Sequence, residues 1–260
     1  MAELNGTPVS SEDLQTLALT NYGHFTSMRC DDGVICGLSL HMERLVRDSR
    51  LVFGADLDPE RVLGFVRQAV SGRTGSFNIR ITAFDTALEM GHPGADAQPQ
   101  VLVTTRPSGE MPPQALRAKT YAFSRDTPAV KHIGLFSQLK LRRQAQLEGF
   151  DDAIFVEPDG QVSEGVTWNL GFVAANGTVV WPAAPVLPGV TMQLLQDAHK
   201  QTEIRPVLLS DLSQMRAAFA TNTSIGVRGV TQINDIAFPE QDPVLDELRR
   251  AYADLPDERL

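Results

Sequence analysis

The sequence predicts an α/β chain of two lobes, and three observations carry that reading. Short strand-like runs are punctuated by Asn-Gly and Asp-Gly turns, amphipathic helices lie between them, and one proline- and glycine-rich stretch divides the chain. At 260 residues there is enough chain to bury one large core or two compact ones. Hydrophobic residues make up 42% and charged ones 21%, which is globular composition and neither disordered nor membrane-like.

Taken in order, "LNGTPV" around Asn5-Gly6 and "RCDDGVICGL" around Asp32-Gly33 each suit a tight hairpin. Cys30 and Cys36 flank the second turn, so they are expected on facing strands, as thiols of a reduced cytosolic protein, with a redox pair as the alternative. From Ser39, the expected cap, "SLHMERLVRDSRLVFG" sets Leu40, Leu45, Val46 and Leu51 near helical spacing. "PERVLGFVRQAVSG" is a second amphipathic helix and "SFNIRITAFD" a strand. Residues 1–106 therefore read as a smaller N-terminal domain of strands, two helices and strands. Residues 107–116, within "RPSGEMPPQAL", read as the linker, and 117–260 as a larger C-terminal domain.

The larger domain opens on a helix at about 135–147. Hairpins follow at Asp159-Gly160 and Asn176-Gly177. A helix starts after Gly189, "AAFATNTSIGVRGVTQI" reads as strand, polar loop and strand, and a last helix is capped by Asp242 with Pro243 in its first turn.

Charge and motifs exclude several functions. With 23 Lys+Arg against 32 Asp+Glu the net charge is −9, which disfavours nucleic acid as a partner. No G-x-S-x-G elbow, no G-x-x-x-x-G-K-[ST] loop and no H-E-x-x-H occurs, and the five histidines share no ligand-like spacing, so no metal is expected. "MAELNGTPVSSED" has neither the basic flank nor the apolar core of a signal peptide, and no uncharged run reaches about 18 residues. The expectation is a soluble, cytoplasmic protein.

What remains is "VKHIGLFSQLKLRRQAQLEGFDDAIFVEPDGQVSEGVTWN", with Lys131 before a helix and Glu164 after it, suited to holding two ends of one aromatic cofactor. In "LPGVTMQLL" the amides of Val190 and Thr191 open a helix behind a glycine, with the Thr191 hydroxyl as a further donor: an anion site. "ATNTS" crowds Thr221, Asn222, Thr223 and Ser224 at a strand end, where a loop can close on the same anion. Each of these has an ordinary reading too. Lysine is usually a solvated surface charge, Arg44 on a helix can pair with Asp48 at i+4, and Glu164 can be a strand-end carboxylate.

The order "HMERL", Lys131, "EGFDDAIFVEPDGQVSEGVTWNLGFV", "LPGVT", "FATNTS" resembles the class IV, branched-chain and D-amino-acid aminotransferase-like, pyridoxal-phosphate enzymes over nearly the whole chain. The resemblance implies a two-lobed fold with pyridoxal 5'-phosphate between a smaller N-terminal and a larger C-terminal domain. It also implies a homodimer whose active sites are finished by the neighbouring subunit.

By the same resemblance, Lys131 forms the Schiff base with the cofactor aldehyde and then moves the α-proton. Glu164 keeps the pyridine nitrogen protonated. Arg44 pairs with the phosphate, joined by Val190, Thr191, Asn222 and Thr223, and Leu187 packs on the ring. Arg80, mid-strand in "FNIRITAF", and Arg228, in "SIGVRGV", are candidate carboxylate anchors or plain surface arginines. "TNYGHF", with Tyr22, His24 and Phe25, is expected to line the substrate pocket or its partner-subunit wall.

The family usually reads Tyr/Phe-Gly-Asp-Gly-Val-Phe-Glu near the N-terminus, whereas "NYGHFTSMR" puts Thr26 in the place of that glutamate. This pattern and Asn222 are closer to aminodeoxychorismate lyase, and Gly134 stands where shorter members often carry asparagine. The leading expectation is amino transfer between an amino acid and a 2-oxo acid. A lyase releasing pyruvate, with Thr26 catalytic, is the alternative, and a non-catalytic member the third.

Overall fold

The computed structural model describes residues 2–109, 111 and 113–260, so residues 110 and 112 of the expected linker lie outside the described residues. The chain runs β1 (Ala2–Leu4), β2 (Thr7–Pro8), α1 (Ser11–Thr20), β3 (His24–Asp31), β4 (Val34–Cys36), α2 (Leu38–Phe53), α3 (Pro59–Val70), β5 (Ser76–Phe84) and β6 (Gln100–Pro107). It continues β7 (Leu116–Ala122), α4 (Phe136–Leu147), β8 (Asp152–Val156), β9 (Val162–Gly165), β10 (Asn169–Val173), β11 (Val179–Pro182), α5 (Val190–Ala198) and β12 (Thr202–Arg205). After a 3-10 turn over Leu209–Gln214 come β13 (Ala217–Asn222), β14 (Gly226–Ile233), β15 (Ile236–Ala237), α6 (Pro243–Ala253) and β16 (Asp257–Arg259). This is the mixed α/β architecture that the sequence predicts.

Two compact units result, and their limits differ from the expected ones. The first holds Met1–Ser108, Val130–Gly134 and Pro256–Leu260; the second holds Gly109–Ala129 and Leu135–Leu255. Lys131 therefore belongs to the first unit, not to the larger C-terminal domain in which the sequence reading placed it. Backbone pairing is the reason. The Phe25 N–H donates to the Lys131 carbonyl at 2.9 Å, Ile133 N–H to the Gly23 carbonyl at 3.0 Å, and His24 faces His132 in an antiparallel bridge. The C-terminus returns because β16 pairs antiparallel with β4.

The first unit is a seven-stranded sheet in the order β16-β4-β3-β5-β6-β1-β2. Strand alternation puts Met28 and Cys30 of β3, Ile79 and Ile81 of β5, and Val101 and Val103 of β6 on one face. There they bury against Leu38, Met42 and Leu45 of α2 and Val62, Leu63 and Val66 of α3. Both expected turns form with successive left-handed residues, Asn5 and Gly6 at φ 49° and 80°, Asp32 and Gly33 at 49° and 83°. Cys30 and Cys36 lie on the neighbouring strands β3 and β4 without a disulfide.

Two helix starts depart from expectation. The cap of α2 is Gly37, not Ser39; the Ser39 N–H donates instead to the Glu258 carboxylate of β16 at 3.0 Å, so a distant strand supplies the acceptor. Helix α1 was not expected, although "SSED" holds the capping box in which Ser10 and Asp13 bond reciprocally.

The second unit is a nine-stranded sheet in which the β9–β10 pairing closes β10, β13, β14, β7, β8 and β9 into a ring. Alternate residues of those strands, among them Ile154, Val156, Leu170, Phe172, Ala218 and Ala220, make one buried cluster. The opposite set, including Val173 and Phe219, packs with Trp181 of β11, Leu195 of α5 and Val244, Leu245 and Leu248 of α6. Helix α6 starts as expected: Asp242 accepts from the Val244 N–H at 2.8 Å, and Pro243 opens the helix.

Candidate active site

In the first unit, α2 does what a core helix ordinarily avoids and buries a polar line. His41, Arg44 and Asp48, three and four residues apart, share one face, while Leu51, expected inside, is exposed. The Arg44 guanidinium donates from Nη2 to the Thr26 hydroxyl at 2.6 Å, and Thr26 lies 2.7 Å from His41 Nδ1. Arg44 Nη2 also approaches that nitrogen at 3.3 Å. The Thr26 hydroxyl and the Arg44 guanidinium can both donate to Nδ1, which puts the proton of the neutral ring on Nε2. Burial first, then the charges of Arg44 and Lys131, hold His41 well below its ordinary pKa.

Burial lowers Arg44 to about 10, opposed by the field of Asp48, so it stays cationic at neutral pH. Asp48 accepts two bonds from Arg47, at 3.0 and 2.7 Å, and the Lys131 backbone N–H at 3.0 Å. Among the described residues, Arg44 Nε and His41 Nε2 are buried without a hydrogen-bond partner.

The "TNYGHF" residues divide. Tyr22 gives its hydroxyl to the Val52 carbonyl at 2.9 Å and its ring to Phe53. His24 is fully buried near Phe53. Phe25 meets the lysine: Lys131 Nζ lies 4.9 Å from its ring centroid, and the Arg80 guanidinium 3.6 Å. Arg80 also donates to the Thr82 hydroxyl at 3.2 Å, and burial, then Arg106, lowers its pKa to about 10.

His24 carries a prediction. Its pKa falls from 6.5 to about 4 because burial penalises the cation more than Asp48 favours it. Between those values the unfolded chain binds a proton that the folded one refuses, so stability is full above 6.5 and falls as pH drops toward 4. His24→Leu should remove about 2 kcal/mol of the stability lost between pH 7 and 5. Urea midpoints at the two pH values check this; an unchanged acid loss would contradict it.

In the second unit, Glu164 on β9 is buried and accepts from Arg125 Nη1 at 3.1 Å, the Leu187 N–H at 3.2 Å and Asn169 Nδ2 at 3.4 Å. Asn169, paired with Glu164 across β9–β10, also donates to the Leu187 carbonyl at 2.7 Å. The chain must then pass close by: a Cβ on Gly189 would lie 2.0 Å from Asn169 Oδ1. Directly after Gly189 comes α5, whose start has no side-chain cap, and the buried Thr191 hydroxyl has no partner among the described residues. Leu187 and Val190 are buried beside these groups.

Two predicted residues are occupied differently. The Asn222 side chain donates to the Thr167 carbonyl at 3.0 Å and accepts from the Ser224 and Ile225 N–H groups at 2.8 and 3.1 Å, so it builds the loop that presents half-buried Thr223. Arg228 donates to the Gln114 carbonyl within the field of Asp151 and Asp152, a poor place for a carboxylate. The sequence reading missed Arg125, for which "FSRDTP" gives no local signal. It also missed His41 and Asp48 as partners of the site, though their spacing from Arg44 shows one helical face.

Residues 23–233 match the family model described as amino-transferase class IV. The chain is 26% identical over 254 residues to the "Putative branched-chain-amino-acid aminotransferase" of Methanocaldococcus jannaschii, covering 89% of this chain and 87% of that one. In fold it is similar to the branched-chain amino acid aminotransferase of Escherichia coli, with a TM-score of 0.85 at 22% identity over 97% of this chain and 92% of that one. It is also similar to the branched-chain amino acid aminotransferase of Thermobaculum terrenum in its PLP form, with a TM-score of 0.86 at 18% identity and the same coverages, 97% and 92%.

Proposed function

The chain belongs to the class IV aminotransferase family, and from that premise we propose that it moves the amino group of a branched-chain or similar aliphatic amino acid to a 2-oxo acid, using Lys131. Enzymes of this family use pyridoxal 5'-phosphate and act on amino acids and 2-oxo acids; the donor class is taken from the relatives' names. Those names also favour transfer over the lyase alternative.

The observation that carries the reading is the buried Arg44 guanidinium, cationic and with Nε unpartnered among the described residues. Asp48 supplies a nearby opposite charge but no hydrogen bond to Arg44 Nε, and a buried donor left unpaired is costly, so this one is suited to an anionic ligand. The Thr191 hydroxyl, without a partner among the described residues, and the start of α5, without a side-chain cap, give the second unit the donors a phosphate needs. The residues present thus fit the cofactor. In the second unit the Val190 and Thr191 amides, the Thr191 hydroxyl and Thr223 would hold its phosphate, Glu164 its ring nitrogen and Leu187 its ring face; in the first unit Arg44 is the residue that the family resemblance gives to the phosphate.

When bound, the cofactor supplies an electron sink for the carbanion at the substrate α-carbon. Lys131 would hold it through Nζ and would carry the α-proton. Arg125, Asn169 and the Leu187 N–H hold the Glu164 carboxylate in place, where it would face a protonated nitrogen. Thr26 and His41 fix the fork of Arg44, which makes Thr26 a positioning residue in this reading and not a catalytic one. Arg80, stacked on Phe25 near Lys131, is the better carboxylate anchor of the two arginines.

Purified protein mixed with PLP, L-leucine and 2-oxoglutarate should form glutamate. Pyruvate release from aminodeoxychorismate with no glutamate formed would favour the lyase. Among the described residues no helix is long and apolar enough to cross a membrane, which agrees with the proposed cytoplasmic location. The assembly we propose is a homodimer, the commonest closed assembly. Light scattering at low micromolar concentration should exceed the 28.4 kDa of one chain; that mass alone, with activity intact, would defeat the dimer.

A further inference from the structure

We propose that Asp48 is the positioning residue for Lys131: its buried carboxylate ties the backbone of the lysine to the helix that carries Arg44. The assignment rests on the reading of Lys131 given above. Segment Val130–Gly134 docks against the start of β3 through two backbone bonds, Phe25 N–H to the Lys131 carbonyl and Ile133 N–H to the Gly23 carbonyl. In an antiparallel ladder a closely bonded pair exchanges two bonds. At Lys131 the N–H is taken by Asp48 Oδ2 at 3.0 Å, so a side chain of α2 stands where the ladder's second bond would.

Asp48 is itself held. It is fully buried, and its Oδ1 accepts from Nε and Nη2 of Arg47. One turn earlier on the same face stands Arg44, which reaches Thr26 on β3. The lysine's backbone and the arginine thereby hang on one rigid helix, and Asp48 is the link that no regular pairing would provide. A misplacement of about 1 Å can cost about a hundredfold in rate, so a tether of this kind has a measurable effect.

The bond and the charge of Asp48 can be separated. In Asp48→Asn the side-chain oxygen can still receive the Lys131 N–H, because Arg47 is partly exposed and can swing into water away from the new amide. Asp48→Ala removes the acceptor. Hydrogen exchange of a peptide covering 130–134, with and without added PLP, reads the tether directly. It does so whatever Lys131 does, whereas Lys131→Ala tests that role separately.

We expect Asp48→Ala to speed exchange there by about tenfold or more, and to lower kcat by about tenfold with KM within about threefold. Asp48→Asn should stay within about threefold of the parent in all three. The proposal is overturned if exchange and kcat survive Asp48→Ala, or if Asp48→Asn is as damaged as Asp48→Ala. Should Asp48→Ala fail to fold, Asp48→Asn decides alone: kept protection at 130–134 supports the tether and lost protection overturns it.

Discussion

Lys131→Ala is expected to lower kcat/KM for amino transfer by about a thousandfold or more, since one group is lost as both nucleophile and proton carrier. Its setting argues against a surface charge. The backbone is fixed on both sides, by Phe25 and by Asp48, and Nζ stands over the Phe25 ring. Lys119 and Lys140 are the controls. Lys119 pairs with Glu148 in an exposed contact and Lys140 is an exposed residue of α4, so alanine at either should change kcat/KM by less than about twofold. Comparable losses at Lys119 would contradict the assignment.

The second large effect is expected at Arg44. A charge-assisted contact to a dianion is worth about 1.5–3 kcal/mol, so Arg44→Ala should weaken PLP binding by about one to two orders of magnitude. Alanine also leaves the Thr26 hydroxyl without its donor and His41 Nδ1 with Thr26 alone, so the melting temperature should fall as well. Arg44→Lys separates the two effects. It keeps the charge but cannot make the fork that reaches Thr26 while leaving Nε for the ligand, so affinity should lie between alanine and the parent. Titration of the near-visible cofactor band gives the constants, and unchanged affinity in Arg44→Ala would remove Arg44 from the site.

Much of the fold was readable because it is written in local chemistry. The turns at Asn5-Gly6 and Asp32-Gly33 need successive left-handed residues, and Asp242-Pro243 names the start of α6. What was not readable depends on contacts distant in sequence. Nothing near Lys131 says that it pairs with residues 23–25, and nothing near Ser39 says that Glu258 will take its N–H.

The site divides the same way. Glu164, Leu187 and the start of α5 stand in short motifs, and they come together because Asn169 reaches both Glu164 and the turn before Gly189. The polar face of α2 could have been found: reading only its leucines and valine hid the period that links His41, Arg44 and Asp48. Asn222 shows the opposite error, since a residue type suited to phosphate is used here to fold its own loop.

The central claim is that Lys131, held in the first unit, is the residue that bears the cofactor. Borohydride reduction of the PLP-loaded protein, followed by proteolysis and mass spectrometry, tests it most directly. A single reduced pyridoxyl adduct is expected, on the peptide that contains Lys131, and none in Lys131→Ala. An adduct on Lys119, Lys140 or Lys200, or none on the parent protein, would contradict it.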